Sequence, residues 1–306
     1  MPSSPGRHSL SLINPDTPAF PIVPIPSQSP RTVAARLAHL IGLNHAPGLK
    51  LAIKNLLDTL ADPFCRGLIL ELGGAKIRVP ARFRRQPWTN YETASTTMVS
   101  QWLATRQDAV LLDVGCSVAL YSLLALAASP RTNAWAFDAD LTSLQSSKWL
   151  CQHVGTERLH VIYGFIADKP DVPRDAARAS REITELLTRT RIPREPSLSN
   201  YVCIDGKEHP LVPTNTLDFL FPHADQFRPW LLKCDVEGAE MVVLLGADRF
   251  VRRARPQLLI SVHPATLAGF GYSRKDLAHW IEERGYNQRI LSIDHEEHWW
   301  CEPLPV

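Results

Sequence analysis

Asp235, Glu237 and Glu240 place three carboxylates within six residues, in the run Leu231-Leu232-Lys233-Cys234-Asp235-Val236-Glu237-Gly238-Ala239-Glu240. The residues before them, Trp230 to Cys234, read as a short strand. Met241 to Leu245 read as a helix that stops at Gly246-Ala247. Gly238 permits the sharp turn between the two. In an extended segment, residues two apart point the same way, so Asp235 and Glu237 face one pocket beyond the strand's carboxyl end. That edge is where open α/β sheets bind ligands. Glu240 falls in the first helical turn, where the helix dipole favours negative charge, and reads as a helix-start residue. His263 follows the apolar run Leu258-Leu259-Ile260-Ser261-Val262. If that strand neighbours the one ending at Asp235, the imidazole and the carboxylates meet at one edge. Such a set can supply a general base, and an unperturbed histidine titrates near neutral pH as a base should. Asp235, Glu237 and His263 also offer oxygen and nitrogen ligands to Mg²⁺ or Mn²⁺. Their spacing is not compact, which favours the base over the metal.

A second set of residues lies upstream. Val110-Leu111-Leu112-Asp113-Val114-Gly115 is a buried strand ending in an acid and a glycine, and Leu120-Tyr121-Ser122 open the next helix. Gly115 lets backbone approach a ligand closely. One unit further on, Ala134-Trp135-Ala136-Phe137-Asp138 ends in an acid placed to bind ribose hydroxyls. The dinucleotide fingerprint G-x-G-x-x-G is not met, because Ser117 and Leu120 stand where its later glycines belong. A nucleoside without phosphates, such as S-adenosylmethionine, fits better.

The elements that must position these residues alternate. Strands are predicted at Ala109–Val114, Asn133–Phe137, Leu159–Tyr163, Pro229–Cys234, Gln257–Val262, Asn287–Ile293 and Glu297–Cys301. Helices fit at Leu120–Ala128, Leu141–Val154, Ala239–Phe250 and Arg274–Arg284. This alternation predicts a parallel sheet with helices on both faces. The last two strands are close enough to form an antiparallel hairpin through Asp294-His295-Glu296. Before them, Leu68 to Leu72 and Lys76 to Val79 read as a hairpin through Gly73-Gly74, followed by a helix over Glu92 to Thr105. Asp218 reads as the cap of the helix that follows it. Trp299, Trp300, Phe270 and Tyr272 read as packing residues.

The organisation expected is a Pro/Ser-rich disordered leader (1–30), a helical and hairpin extension (31–105) and a main domain (106–306) with an insertion at 170–214. Arg174, Arg178, Arg181, Arg189, Arg191 and Arg194 of the insertion read as a solvated helix face. The formal net charge is +2, so charge points to no polyanionic partner. The six cysteines are scattered with no C-x-x-C spacing, which argues against a zinc or disulfide framework and suits a reduced, cytoplasmic protein. No apolar run is long enough to span a bilayer, and no signal-peptide pattern opens the chain.

On Asp113-Val114-Gly115 with Tyr121-Ser122, Phe137-Asp138, Thr216-Leu217-Asp218 and above all Leu232 to Glu240 with Gly246-Ala247, the chain resembles the FkbM-type S-adenosylmethionine-dependent methyltransferases. The resemblance spans roughly residues 88 to 300. It implies a class I methyltransferase fold, Rossmann-like, with seven strands of which the last is antiparallel. It also implies S-adenosylmethionine as cofactor. The cofactor side is assigned Glu92, Asp113, Gly115, Ser117, Tyr121, Asp138 and Asp168; the catalytic side is assigned Asp235, Glu237 and His263. The chain departs from the family pattern at Ser117 and Ala119, where Asn and Gly are usual, and at Asp138-Ala139, where Glu-Pro is usual. Ser147 and Cys151 replace asparagines of the following helix. The implied reaction is O-methylation of a hydroxyl on a small molecule or saccharide. A second reading is a noncatalytic module that keeps the fold and binds a protein partner through residues 1–60 or 170–214. A third, a nucleic-acid methyltransferase, has only the insertion's arginines in its favour.

Overall fold

A computed structural model describes residues 68–79, 88, 90–140, 157–169, 201–204, 207–210 and 214–305. All lie in the compact unit Leu60–Val306. The leader, the helices expected within residues 31–60, the helix at Leu141–Val154 and the insertion helix fall outside the described residues.

The chain opens with an antiparallel hairpin of β1 (Leu68–Leu72) and β2 (Ala75–Val79), turned at Gly73-Gly74 as predicted. Then come α1 (Thr93–Ala104), β3 (Val110–Val114), α2 (Leu120–Ala128), β4 (Asn133–Asp138), β5 (Leu159–Tyr163) and β6 (Phe165–Ile166). β7 (Tyr201–Ile204) and β8 (Lys207–Pro210) form a second hairpin, and β9 (Thr214–Asn215) pairs with β6. α3 (Leu217–Leu220), β10 (Trp230–Cys234), α4 (Glu240–Leu245), α5 (Asp248–Ala254) and β11 (Gln257–Val262) follow. The chain ends with α6 (Pro264–Leu267), α7 (Arg274–Glu283), β12 (Tyr286–Ile293) and β13 (Glu297–Pro303). No helix among the described residues is long and apolar enough to cross a membrane.

The main sheet has seven strands in the order β12-β13-β11-β10-β3-β4-β5. β13 runs antiparallel to both of its neighbours, while the pairs from β11 to β5 are parallel. An otherwise parallel seven-stranded sheet with its last strand inserted antiparallel is the class I methyltransferase arrangement. β3, β10 and β11 are buried along their whole length, as central parallel strands with both faces covered must be.

Successive residues of these strands serve opposite faces. Leu112, Leu232, Ile260 and Trp299 pack in one core with Val243, Phe250, Leu277 and Trp280 from α4, α5 and α7. Leu111, Leu231, Leu259 and Trp300 pack in the other with α1, α2 and the β1–β2 hairpin. Trp299 and Trp300, expected to pack, lie in opposite cores. α7 shows its design locally: Ser273 and Asp276 form a reciprocal capping box. Its buried residues Leu277, Trp280 and Ile281 fall at helical spacing.

Two local expectations differ from the structure. The helix expected over Ala239–Phe250 is two helices, because the chain turns at Gly246-Ala247. Asp218 caps a helix, but not its own. Thr216 caps α3, whereas the Asp218 carboxylate accepts the backbone N–H groups of Arg249 and Phe250 in the first turn of α5. The new break in the chain creates amides that a residue from another helix satisfies.

Asp248, first residue of α5, ties that helix to the end of α7. Its Oδ1 accepts Arg284 Nε at 2.7 Å, and its Oδ2 accepts Arg252 Nε at 3.1 Å. Partial burial pushes the carboxyl up, but hydrogen bonds from Arg284 and Arg252 outweigh this and hold it below the usual carboxylate range. A depressed folded pKa adds stability above the unfolded value, and that stability disappears as pH falls through the folded value. Asp248→Asn is therefore expected to cost about 1 kcal/mol at neutral pH, the scale of a partly exposed ion pair. Urea unfolding should show the gap closing as pH falls below about 4, the unfolded aspartate value. A gap that stays constant through the acid range would remove the charge from the explanation.

Candidate active site

At the carboxyl edge of the sheet, the face that packs α1 and α2 turns from apolar to polar. Asp113, Lys233 and Ser261 stand two residues beyond Leu111, Leu231 and Leu259, and His298 stands two before Trp300 in antiparallel β13. They continue the same face by strand alternation. Register sets Lys233 opposite Asp113. Lys233 Nζ lies 2.9 Å from Asp235 Oδ2 and 4.0 Å from Asp113 Oδ1, and it donates to the Gly115 carbonyl at 3.4 Å. The ammonium is also 5.1 Å from the centre of the Tyr121 ring. Burial alone would lower the lysine pKa, but Asp235, Asp113 and Glu92 raise it well above its ordinary value, so Lys233 stays charged. In return, burial pushes Asp235 up, and Lys233 more than reverses this and holds its carboxyl below the usual range.

β10 and β11 are parallel neighbours, and this brings His263 to the same edge. Its Nδ1 lies 2.7 Å from Glu240 Oε1. Its Nε2 lies 2.5 Å from Glu296 Oε2, 3.4 Å from Glu237 Oε2 and 3.8 Å from Asp235 Oδ1. Burial lowers the imidazole pKa, but Glu240 and Glu296 more than offset it and take it to about 10. In the chain by itself, His263 is an imidazolium at neutral pH. This corrects the expectation of an unperturbed histidine titrating near neutrality, which took no account of the two buried glutamates. Asp235 and Glu237 do face one place, though not through strand alternation. β10 ends at Cys234 and Glu237 has φ 54°, so the two acids converge through a turn.

Glu240 and Glu296 are the residues that sequence reasoning missed. Glu240 does start α4, but its side chain is fully buried, and Oε1 also accepts the Gly238 N–H at 2.9 Å. Glu296 sat in a turn read only as a hairpin connection. The antiparallel pairing of β11 with β13 matches Val262 to Glu297, which seats the preceding Glu296 beside His263. Its other oxygen, Oε1, lies 3.4 Å from His298 Nε2. Asp235, His263 and Glu296 each bring a ligand atom to within 4.8 Å of the others, as do Glu92, Glu296 and His298.

On the cofactor side, the turn after β3 has three left-handed residues: Gly115 (φ 75°), Ser117 (φ 48°) and Ala119 (φ 57°). Asp138 holds the turn, its Oδ2 accepting the Ser117 N–H at 2.7 Å and its Oδ1 the Asp140 N–H at 2.8 Å. Burial raises the Asp138 pKa, with these amides opposing. Asp113 is fully buried behind the turn, where Oδ2 accepts Ser122 N–H at 3.1 Å and Ser122 Oγ–H at 2.7 Å. It anchors the start of α2 and does not face open space. Tyr121 Oη donates to Glu92 Oε2 at 2.5 Å, and that same oxygen lies 4.0 Å from His298 Nδ1. Glu92 and Tyr121 thus join the second histidine. Asp168 is exposed and enters none of these contacts; its backbone packs against Gly246.

The family departures at Ser117 and Ala119 fall on left-handed positions, where Asn and Gly are the favourable residues. The Ala119 methyl is buried in the protein core. Left-handed backbone costs a non-glycine residue about 1–2 kcal/mol, whereas burying a methyl stabilises by about 0.8 kcal/mol. Strain wins, so Ala119→Gly is expected to stabilise the fold by about 0.5 kcal/mol. A lower urea midpoint for the glycine variant would show that packing of the methyl dominates.

Beyond Glu240, Met241 helps line a groove of about 380 Å³ with Tyr272, Asp276, His279, Trp280 and Glu283.

The Methyltransferase FkbM domain family matches residues 171–287. That stretch holds the Asp235 to Glu240 segment and His263, and it ends before Glu296. No curated protein matches the chain. Among solved structures, the methyltransferase FkbM from Methylobacillus flagellatus KT aligns at 16% identity with a TM-score of 0.39, covering 62% of this chain and 42% of that one. A putative caffeoyl-CoA O-methyltransferase from Staphylococcus aureus aligns at 12% identity and 0.40, covering 72% and 88%. TrmK of M. capricolum, in complex with S-adenosyl-homocysteine, aligns at 13% identity and 0.36, covering 66% and 65%. The strand order itself carries the fold assignment.

Proposed function

We propose that this chain, which carries an FkbM methyltransferase domain, transfers a methyl group from S-adenosylmethionine to a hydroxyl of a small molecule or saccharide. The supporting observation is convergence. Lys233 touches both the Gly115 carbonyl of the cofactor turn and the Asp235 carboxylate of the acid edge. Gly115, Ser117 and Asp138 would hold the cofactor's nucleoside, and Asp235, Glu237 and His263 would lie on the acceptor side. When bound, the cofactor supplies an electrophilic methyl carbon. That carbon would pass to an acceptor oxygen, with the carbon–sulfur electron pair left on the departing thioether.

The chain's own residues align the acceptor and receive its proton. Asp235 is held ionised by Lys233 and keeps about a fifth of its side chain open to solvent. A carboxylate with a depressed pKa is a weak base for an alcohol, so most of the acceleration is assigned to alignment. Glu237, largely exposed at the rim, is the second proton acceptor. Glu240 and Glu296 engage both ring nitrogens of His263, so the imidazole orders the carboxylates of this edge around Asp235 rather than contacting the acceptor.

Calorimetry with S-adenosylmethionine and S-adenosyl-homocysteine tests the reading. Binding of both is expected. Asp138→Ala should weaken it about tenfold, the scale of a lost charge-assisted hydrogen bond. Asp235→Ala should leave cofactor affinity in place and lower turnover. Absence of binding at millimolar cofactor would instead support a noncatalytic module.

A further inference from the structure

We propose that Asp235, His263 and Glu296 form a site for one divalent transition-metal ion, with Mn²⁺ as its working probe. The site itself stands on geometry. Its role, acidifying the acceptor hydroxyl, rests on the methyltransferase reading.

Three observations lead to it. First, the donors are one imidazole and two carboxylates, with ligand atoms within 4.8 Å of one another. That nitrogen–oxygen set suits Mn²⁺ and its first-row neighbours better than the all-oxygen shell preferred by Mg²⁺ or Ca²⁺. Second, His263 is built as a metal-binding histidine is. Its side chain is more than nine-tenths buried, and Nδ1 meets Glu240 Oε1 at 2.7 Å. A carboxylate on one ring nitrogen fixes the tautomer and leaves the other nitrogen free to ligate. That other nitrogen, Nε2, is buried and directed among Glu296, Glu237 and Asp235, at 2.5, 3.4 and 3.8 Å, so an ion bound there would take the place of the imidazole proton. Third, the second oxygen of Glu296 faces His298, whose Nδ1 lies 3.3 Å from Ser261 Oγ. Glu296 is therefore held from behind, as an outer shell holds a ligand.

The neighbouring set Glu92, Glu296 and His298 is buried at all three residues and offers no entry. The set containing Asp235 is open on the side of that residue, where Glu237 stands at the rim with its side chain exposed. A substrate hydroxyl can reach an ion there. Lys233 is flanked by Asp235, Asp113 and Glu92, whereas Glu237, Glu240 and Glu296 gather around His263.

The test titrates the full chain, stripped with EDTA and then freed of it, with Mn²⁺ while free ion is followed by electron paramagnetic resonance. One saturable equivalent per chain is expected, with nitrogen hyperfine coupling from a single imidazole in pulsed spectra. Glu296→Gln and His263→Gln should each weaken binding more than tenfold. Glu240→Gln, a positioning change that removes no ligand, should weaken it about 10–100-fold. Circular dichroism and melting in EDTA identify any variant that fails to fold, and the nitrogen coupling needs only the unaltered protein. Lack of a saturable equivalent, lack of nitrogen coupling, or unchanged binding in folded Glu296→Gln and His263→Gln would overturn the site. Calorimetry with S-adenosylmethionine in EDTA reads the methyltransferase assignment separately, so the two can fail independently.

Discussion

Lys233→Met is expected to destabilise the fold by about 3–5 kcal/mol, the range for removing one partner of a buried ion pair. Methionine matches lysine in length and fills the same space between β3 and β10, so packing changes little. What goes is the charge. Asp113 is fully buried, and its Oδ1 accepts no hydrogen bond; Lys233, 4.0 Å away, is the cation that compensates it. Burial already pushes the Asp113 carboxyl up with the lysine present. Without the lysine, the carboxyl must take a proton or remain a buried uncompensated charge. Asp235 loses its 2.9 Å partner in the same change. The diagnostic measurement is a double-mutant cycle by urea unfolding. Adding Asp113→Asn to Lys233→Met should recover about 1–2 kcal/mol, as coupled contacts do. A single-variant loss below about 1 kcal/mol would place the pair with exposed ion pairs, which contribute little.

Lys233 also shows what can and cannot be read from a sequence. Its identity was visible in the run 230–240, but its partner Asp113 lies 120 positions upstream, and only the β3–β10 register brings them together. The elements themselves were largely legible because their causes are local. β3, β10 and β11 are continuous apolar runs. α2 was placed at Leu120–Ala128 because an apolar stretch is bounded by a turn and by Ser129-Pro130. The meeting of His263 with Asp235 followed from two strands being neighbours, a condition the sheet meets. The missed residues have nonlocal causes. Glu296 looks like a turn residue until β13 is inserted beside β11, which buries it against His263. Asp218 reads as the cap of the helix that follows it, but the amides it accepts belong to α5, which only the fold brings beside it. The departures at Ser117 and Ala119 could be seen, but not that both residues adopt left-handed backbone.

Gly115→Ala is expected to cost about 2–5 kcal/mol, comparable to the lysine change, and a second glycine separates its causes. Gly115 has φ 75°, which by itself costs an alanine about 1–2 kcal/mol. The larger effect is contact. A Cβ built at Gly115 falls 1.7 Å from the Asp235 carbonyl oxygen and 2.7 Å from its carbon. Both are backbone atoms of the residue that leaves β10, so no side-chain rotation relieves the overlap. The cofactor turn and the acid edge must separate, which adds about 1–3 kcal/mol of overpacking. Gly271 has nearly the same backbone, φ 80°, but a Cβ there meets nothing within 4 Å. Gly271→Ala therefore carries the left-handed strain alone, about 1 kcal/mol. Urea unfolding of both variants gives the difference, which is the contribution of the contact between the two half-sites. The folded fraction of Gly115→Ala should also bind S-adenosylmethionine poorly, while Gly271→Ala binds it normally. Equal losses of stability in the two variants would mean that the turn and the Asp235 backbone yield to one another without resistance. The close approach of Gly115 would then not be what holds the cofactor turn at the acid edge.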